Sequence, residues 1–130
     1  EFRREAARNP RHAKAQYHLG FCLIAMRQVE EGIQKIEEAL RLNPSYAPAY
    51  YQVGKVRLQQ GRLQEAVASL EKAVLLDPDK SYVQYQLSQA YLKAGRRDAA
   101  TTALARYRDL KARERTAPRD SARPGVVEEK

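Results

Sequence analysis

NPSYAPAYYQVGKVRLQQGRLQEAVASLEKAVLLDP, residues 43–78, is the stretch whose reading decides the fold. It opens on Asn43-Pro44 and closes on Asp77-Pro78, and a third dipeptide of the same kind, Asn9-Pro10, stands upstream, each 34 residues from the next. Proline has no amide hydrogen and pushes the residue before it out of helical geometry, so each dipeptide reads as the end of a helix. A fixed period of that length marks a repeat array, and each period has room for two helices of about fourteen residues joined by a tight turn.

Working outward, the segments 13–46, 47–80 and 81–114 repeat in character as well as in punctuation. Small residues recur at Gly20, Gly54 and Ser88 and at Gly32, Ala66 and Ala100, where a larger side chain would hold two crossing helices apart. Large apolar residues recur at Leu19, Val53 and Leu87, at Ile36, Leu70 and Leu104, and at Leu42, Leu76 and Leu110, and these read as the core. Gly61 and Gly95 fall between the two helical stretches of their repeats, as a helix end with positive φ requires. Arg27 holds that place in the first repeat, so its turn is expected to be built differently.

With these positions in register, the chain resembles the tetratricopeptide repeat family. The matching residues are Leu19-Gly20, Leu23, Gly32, Ile36, Ala39 and Pro44, then Val53-Gly54, Ala66, Leu70, Ala73 and Pro78, then Leu87-Ser88, Tyr91, Ala100 and Leu104. Three departures stand out: Arg57 at the place of Leu23 and Tyr91, Tyr107 for the small Ala39 and Ala73, and Ala112 for the closing proline. The resemblance implies an all-α, right-handed superhelical solenoid of three helix-turn-helix repeats in residues 11–115.

The two ends read differently. Phe2 and Ala6 precede Pro10 by the same intervals as Ile36 and Leu40 precede Pro44, so residues 1–10 read as the remnant of a preceding repeat's second helix. At the other end Val29 and Leu63 give way to Arg97, Ile33 and Val67 to Thr101, and Leu40 and Val74 to Arg108. That polar face is expected to cap the array. With no proline after Ala112, the last helix can run on to about Arg115 before Pro118 stops it, leaving residues 116–130 as a polar tail.

At 130 residues and 43% hydrophobic content, the chain has material for one domain with a continuous core. No apolar run is long enough for a membrane-spanning helix. The one cysteine, Cys22, lies mid-helix and reads as a reduced, packed thiol. The net charge of +8 gathers toward the C-terminal end: residues 13–46 carry four basic and four acidic side chains, 47–80 five and four, and 81–114 seven and three.

Catalysis needs a nucleophile, base and orienting group, or a set of metal ligands, converging on one pocket. The only histidines are His12 and His18, and although His18 and Cys22 stand on one helix face, no further ligand follows at zinc spacing. No phosphate loop or hydrolase elbow occurs. A non-catalytic chain without cofactor or metal is expected.

The resemblance implies that the first helix of each repeat lines the concave side. The inward positions are then Lys14, Tyr17, His18, Phe21 and Ile24; Pro48, Tyr51, Gln52, Lys55 and Leu58; and Tyr82, Tyr85, Gln86, Gln89 and Leu92. Lys93 flanks them. Rings with polar tips on rigid helices are what interfaces use as anchors, so this wall is the candidate groove for a peptide or protein segment with apolar anchors. One subclass of the family grips a terminal carboxylate with cationic and amide side chains at five groove positions. Here those positions hold Tyr17, Phe21, Gln52, Tyr82 and Gln86, and the expectation is that this chain does not work that way.

Two other readings come from the same residues. The basic end, with Lys93, Arg96, Arg97, Arg106, Arg108, Lys111, Arg113 and Arg115, has the clustered cations that phosphate contacts need, but only Tyr107 lies among them for base stacking. Self-association through the exposed face of the first repeat is the other.

Overall fold

The structure, a computed structural model, describes residues 10–116. Six α-helices follow one another: α1 (Pro10–Ala25), α2 (Val29–Leu42), α3 (Ala47–Gln59), α4 (Leu63–Leu76), α5 (Ser81–Lys93) and α6 (Arg97–Thr116). They pair as α1 with α2, α3 with α4 and α5 with α6, and the pairs stack in chain order through α2 on α3 and α4 on α5. The remnant helix expected in residues 1–10 lies, but for Pro10, outside the described residues, as does the tail beyond Thr116.

The punctuation works as the sequence predicts. Asn43 and Asp77 both leave their helices in an extended conformation, with φ near −145° and −147°, the geometry a following proline imposes. Pro10 and Pro48 instead stand at the start of helices, where a missing amide hydrogen costs nothing. In α2, Glu30 and Glu31 occupy the first turn and Arg41 the last, each charge matching the helix dipole.

The small residues are where the paired helices touch. A Cβ at Gly20 would sit 2.6 Å from the Gly32 carbonyl oxygen and from Ile36 Cγ1, and one at Gly54 would sit 2.5 Å from Leu70 Cγ. No real Cβ tolerates such distances, so these positions set how closely each pair crosses. In the third pair Ser88 replaces glycine, remains buried, and its hydroxyl donates to the Tyr85 carbonyl oxygen at 2.6 Å within its own helix.

Ile36 and Leu70 are fully buried, and the largest core cluster runs from Leu58 through Leu70 to Leu87, Tyr91 and Ala103, joining the second and third pairs. Ala13, Ile33, Ile36 and Ala39 form the buried centre of the first pair. Arg57, the departure at a core position, is buried too. Its Nε stands 3.3 Å from Glu65 Oε1, and its Nη1 donates to Gln60 Oε1 at 2.9 Å, so the desolvated cation is paired. Tyr91, at the same repeat position, donates its hydroxyl to Glu71 Oε2 at 2.5 Å and stitches α5 to α4.

Three expectations are corrected. Leu19 is 45% exposed and is not core, although its counterpart Leu87 is buried. Cys22 is exposed rather than packed, although its counterparts Val56 and Ala90 are buried. Both sit on the face of α1 that, one and two repeats later, a preceding helix covers. The third correction concerns the first turn. Arg27 adopts φ 71°, beside 78° at Gly61 and 81° at Gly95, and the Gln28 amide reaches the Leu23 carbonyl at 2.8 Å as Arg62 reaches Arg57 at 2.9 Å and Arg96 reaches Tyr91 at 2.8 Å. The closing turn of α1 is thus the same left-handed cap as the others, held by an arginine instead of a glycine.

The far end is polar: Arg97, Thr101 and Arg108 are exposed, where Ile33 and Val67, the counterparts of Thr101, are buried and those of Arg97 and Arg108 are half-buried. Helix α6 is the longest of the six at 20 residues, because no proline interrupts it.

Candidate functional site

The first helices α3 and α5 contact one another across the repeat boundary, while no second helix packs comparably on another second helix. The α3–α5 contact therefore marks the side on which the stacked pairs close, and α1 is the corresponding first helix of the first pair. The expected groove residues fall on these three helices.

Within that wall the rings come in contact pairs. Tyr17 meets Tyr46 edge-on at 5.3 Å between centroids and lies 6.3 Å from Phe21. Tyr51 meets Tyr82 at 5.1 Å and 74°, bridging two repeats, and Tyr85 meets Tyr107 at 5.3 Å. Each tyrosine at the shared fifth position of a repeat therefore has a ring partner, which restricts its rotamers. Burial, first of all, raises the Tyr17 pKa, helped by the neighbouring phenols of Tyr46, Tyr82 and Tyr51 and opposed by the Gln52 side chain. Burial likewise raises Tyr51, with Tyr82 as a second cause.

Exposure sorts the expected residues. Phe21, Tyr82, Tyr85 and Leu92 are between 41% and 52% exposed, a high value for such large apolar groups. Tyr17, Tyr51, Lys55, Gln86 and Gln89 are half-buried. Gln52 and Leu58, expected to line the groove, are each only 7% exposed, so they back the wall instead of facing out from it. Ile24 also departs from expectation, since its Cγ1 would be 2.6 Å from a Cβ at Gly32 and it packs toward α2. The reasons differ: the Gln52 side chain meets Tyr17 of the preceding repeat, whereas Leu58 packs into the core cluster with α4.

Lys55 Nζ stands 5.8 Å from the Tyr51 ring centroid, close enough for a cation–π contact. A small crevice of about 50 Å³ opens beside it, lined by Pro48, Tyr51, Asp77, Lys80, Tyr82 and neighbouring apolar atoms. The described parts of α1, α3 and α5 contain no aspartate or glutamate, whereas α2, α4 and α6 carry Glu30, Glu31, Glu37, Glu38, Glu65, Glu71, Asp98, Asp109 and Glu114. The first helices are thus aromatic and cationic, the second helices carry most of the carboxylates, and Asp77, in the connector before α5, lines the crevice.

Sequence reasoning missed two of these residues. Tyr46 stands in the connector before α3, at a place held by Lys80 and Glu114 in the other repeats, so no periodic signal marked it. Tyr107 was visible as a departure from a small residue, and the structure gives its use: it supplies the last repeat's Tyr85 with a ring.

At the basic end part of the charge is already paired. Arg113 Nη2 is 2.8 Å from Asp109 and Lys111 Nζ 3.5 Å from Glu114. Arg96 stacks 4.7 Å from the Tyr91 ring centroid, with Glu71 4.0 Å from its guanidinium. Among the described residues no cluster of three metal-capable side chains occurs, and His18 stands edge-on to Tyr17 at 5.3 Å. No described helix is long and apolar enough to cross a membrane.

Comparison with known proteins agrees with this architecture. A family model for the tetratricopeptide repeat matches residues 57–117, and a second model of that description matches 1–47 and 23–82. No match is found among curated protein sequences. Among solved structures, the crystal structure of MamA shares 25% identity with a TM-score of 0.75, covering 82% of this chain and 62% of that one. This chain thus spans about three fifths of the MamA structures it matches. The second tetratricopeptide domain of Spaghetti (RPAP3), solved with the HSP90 peptide SRMEEVD, shares 19% identity at a TM-score of 0.76, covering 82% and 92%. The N-terminal domain of stress-induced protein-1 from C. elegans shares 19% at 0.70, covering 78% and 85%. Helix pairs of the right length, small residues at each crossing, left-handed caps at each turn and family-model matches over most of the chain all agree: this protein belongs to the tetratricopeptide repeat family.

Proposed function

We propose that this chain is a non-catalytic scaffold that holds a peptide or protein segment against the inner wall formed by α1, α3 and α5. The observation that carries the reading is the concentration of exposed rings there: Phe21, Tyr82 and Tyr85 face solvent on first helices, with Leu92 beside them. Clustered apolar exposure on a rigid surface marks binding sites rather than solvated faces. Contacts with Tyr51 and Tyr107 hold Tyr82 and Tyr85 in place before a ligand arrives, and Tyr46 holds Tyr17, which lowers the entropic cost of docking.

The partner segment offers apolar or aromatic anchors for the rings. Around those anchors, neutral or acidic residues suit first helices that carry Lys14, Lys55 and Lys93 and no carboxylate, with Asp77 only at the crevice beside Tyr51. A grip on a terminal carboxylate is a poor fit, because Tyr17, Phe21, Gln52, Tyr82 and Gln86 supply no cation at the five positions concerned. That the Spaghetti domain was solved with a bound peptide supports the general class of ligand for this fold, and nothing finer.

The experiment is a peptide-display selection on the wild-type protein, followed by affinity measurement against Tyr17→Ala/Tyr51→Ala/Tyr85→Ala. Each ring lost from an anchor position costs about 2 kcal/mol or more, roughly a thirtyfold loss of affinity. The triple variant is expected to lose binding with its helical circular dichroism nearly unchanged. Equal affinity in the two proteins would overturn the assignment.

A further inference from the structure

Gln16, Tyr50 and Gln84 hold one register position, each 34 residues from the next. In the second repeat Tyr50 packs against the core cluster, its hydroxyl donates to the Pro44 carbonyl oxygen at 3.1 Å, and Lys72 Nζ stands 5.9 Å from the centre of its ring. In the third repeat Pro78 and Arg106 are the counterparts of Pro44 and Lys72, and the shorter side chain of Gln84 stands in place of the ring. A crevice of about 240 Å³ lies there, with Val74, Pro78, Gln84, Arg106 and Leu110 in its lining. Arg113 and Asp109, 2.8 Å apart, pair with one another at its edge.

Gln84 supplies a second observation. It is 2% exposed, and its Oε1 is buried with no hydrogen-bond partner among the described residues. A buried carbonyl without a donor is costly, and nearly all such groups in folded proteins are paired. A group suited to this crevice brings a donor for that oxygen, an apolar body for Val74 and Leu110, and a flat face for the Arg106 guanidinium. A phenol has all three, as Tyr50 shows one repeat earlier. All eight tyrosines of the chain lie within the described residues and serve elsewhere in it, so the phenol has to come from another molecule. The first repeat lacks part of this set: Gln16 Oε1 is also unpaired among the described residues, but Glu38 holds the place of Lys72 and Arg106, and a carboxylate repels the negative face of a ring.

We propose that this crevice receives a tyrosine side chain of a partner chain, its ring against the Arg106 guanidinium and its hydroxyl donating to Gln84 Oε1. The ring enters hydroxyl first, and the Gln84 amide, which no hydrogen bond anchors through its oxygen, turns to meet it. Four of the five named lining residues lie on α4, α6 or the connector before α5, so this site is separate from the rings on α1, α3 and α5 and does not rest on their reading.

The test is an NMR titration of the full chain with N-acetyl-tyrosinamide, read at the Gln84 side-chain amide and Arg106 Nε. Both resonances are expected to shift, and N-acetyl-phenylalaninamide, which lacks the hydroxyl, is expected to bind about fivefold more weakly. Arg106 is exposed, and Arg106→Ala should weaken the tyrosine probe about threefold in a folded protein. Gln84→Tyr should fill the crevice as Tyr50 does, raise the urea midpoint and abolish the shifts. Equal affinity for the two probes, binding to Gln84→Tyr as tight as to the wild type, or a Gln84 amide that does not move would each overturn the proposal. Shifts confined to the rings of α1, α3 and α5 would assign the phenol to that wall and overturn it as well.

Discussion

Replacing Arg27 by glycine should make this protein more stable, although it removes a side chain and adds no contact. Arg27 is held at φ 71°, in the region that only glycine enters freely, and the turn around it has the hydrogen bonds of the glycine turns at Gly61 and Gly95. A side chain in that region costs about 1–2 kcal/mol. Glycine's greater freedom in the unfolded chain takes back about 0.5–1 kcal/mol, so the expected net gain is about 0.5–1 kcal/mol, a rise in Tm of roughly 2–5 °C for a domain of this size. The mirror experiment is Gly61→Ala or Gly95→Ala. A Cβ at either place meets nothing within 4 Å, so the loss, of about the same size, would be conformational alone. Urea unfolding followed at 222 nm reads both signs. If Gly61→Ala destabilises while Arg27→Gly does nothing, the first turn is not the left-handed cap described here.

Three further outcomes follow from the packing. Gly54→Ala drives a Cβ to 2.5 Å from the fully buried Leu70 and should cost about 1–3 kcal/mol, read from the urea midpoint, whereas Ser69→Ala on the same pair should be nearly silent. Burial, and after it the hydrogen bond to Glu71, pushes the Tyr91 pKa up to about 12, so the neutral phenol is the form the fold holds. Its contribution is complete below pH ~10, where an ordinary tyrosine titrates, and is lost as pH rises through about 12. Stability measured from pH 9 to 12 should therefore fall, and Tyr91→Phe should flatten that fall. Arg57→Leu replaces a buried cation by the kind of residue found at Leu23, and should be neutral or stabilising in the same urea assay, since burying the charge offsets what its pairing with Glu65 gains.

Much of the fold was legible because its determinants are local and periodic. Asn-Pro and Asp-Pro stop helices wherever they stand, and a glycine facing a crossing helix has one geometric meaning, which Gly20, Gly32 and Gly54 all express. Exposure at the first repeat was less legible. Leu19 and Cys22 have the same character as buried counterparts, and only the absence of a described helix over α1 distinguishes them. Arg27 misled for a related reason, because the turn is imposed by the helices on either side of it and overrides the residue's own preference. In the candidate site, the shared register of Tyr17, Tyr51 and Tyr85 was readable from the 34-residue period. The partners Tyr46 and Tyr107 were not, because no periodicity specifies which ring fills the space beside another. Gln52, Leu58 and Ile24 fell on the inward side of the helical wheel, yet whether a side chain there is covered depends on neighbours from its own and the adjacent repeat, which the period does not specify.

The most direct test of the account is amide chemical-shift mapping of the isotope-labelled protein titrated with a display-selected peptide. The account predicts one contiguous set of shifted resonances on α1, α3 and α5, centred on Phe21, Tyr51, Tyr82 and Tyr85, with α2 and the outer face of α6 unmoved. Shifts gathered instead on the second helices, or on the arginines of α6, would contradict it.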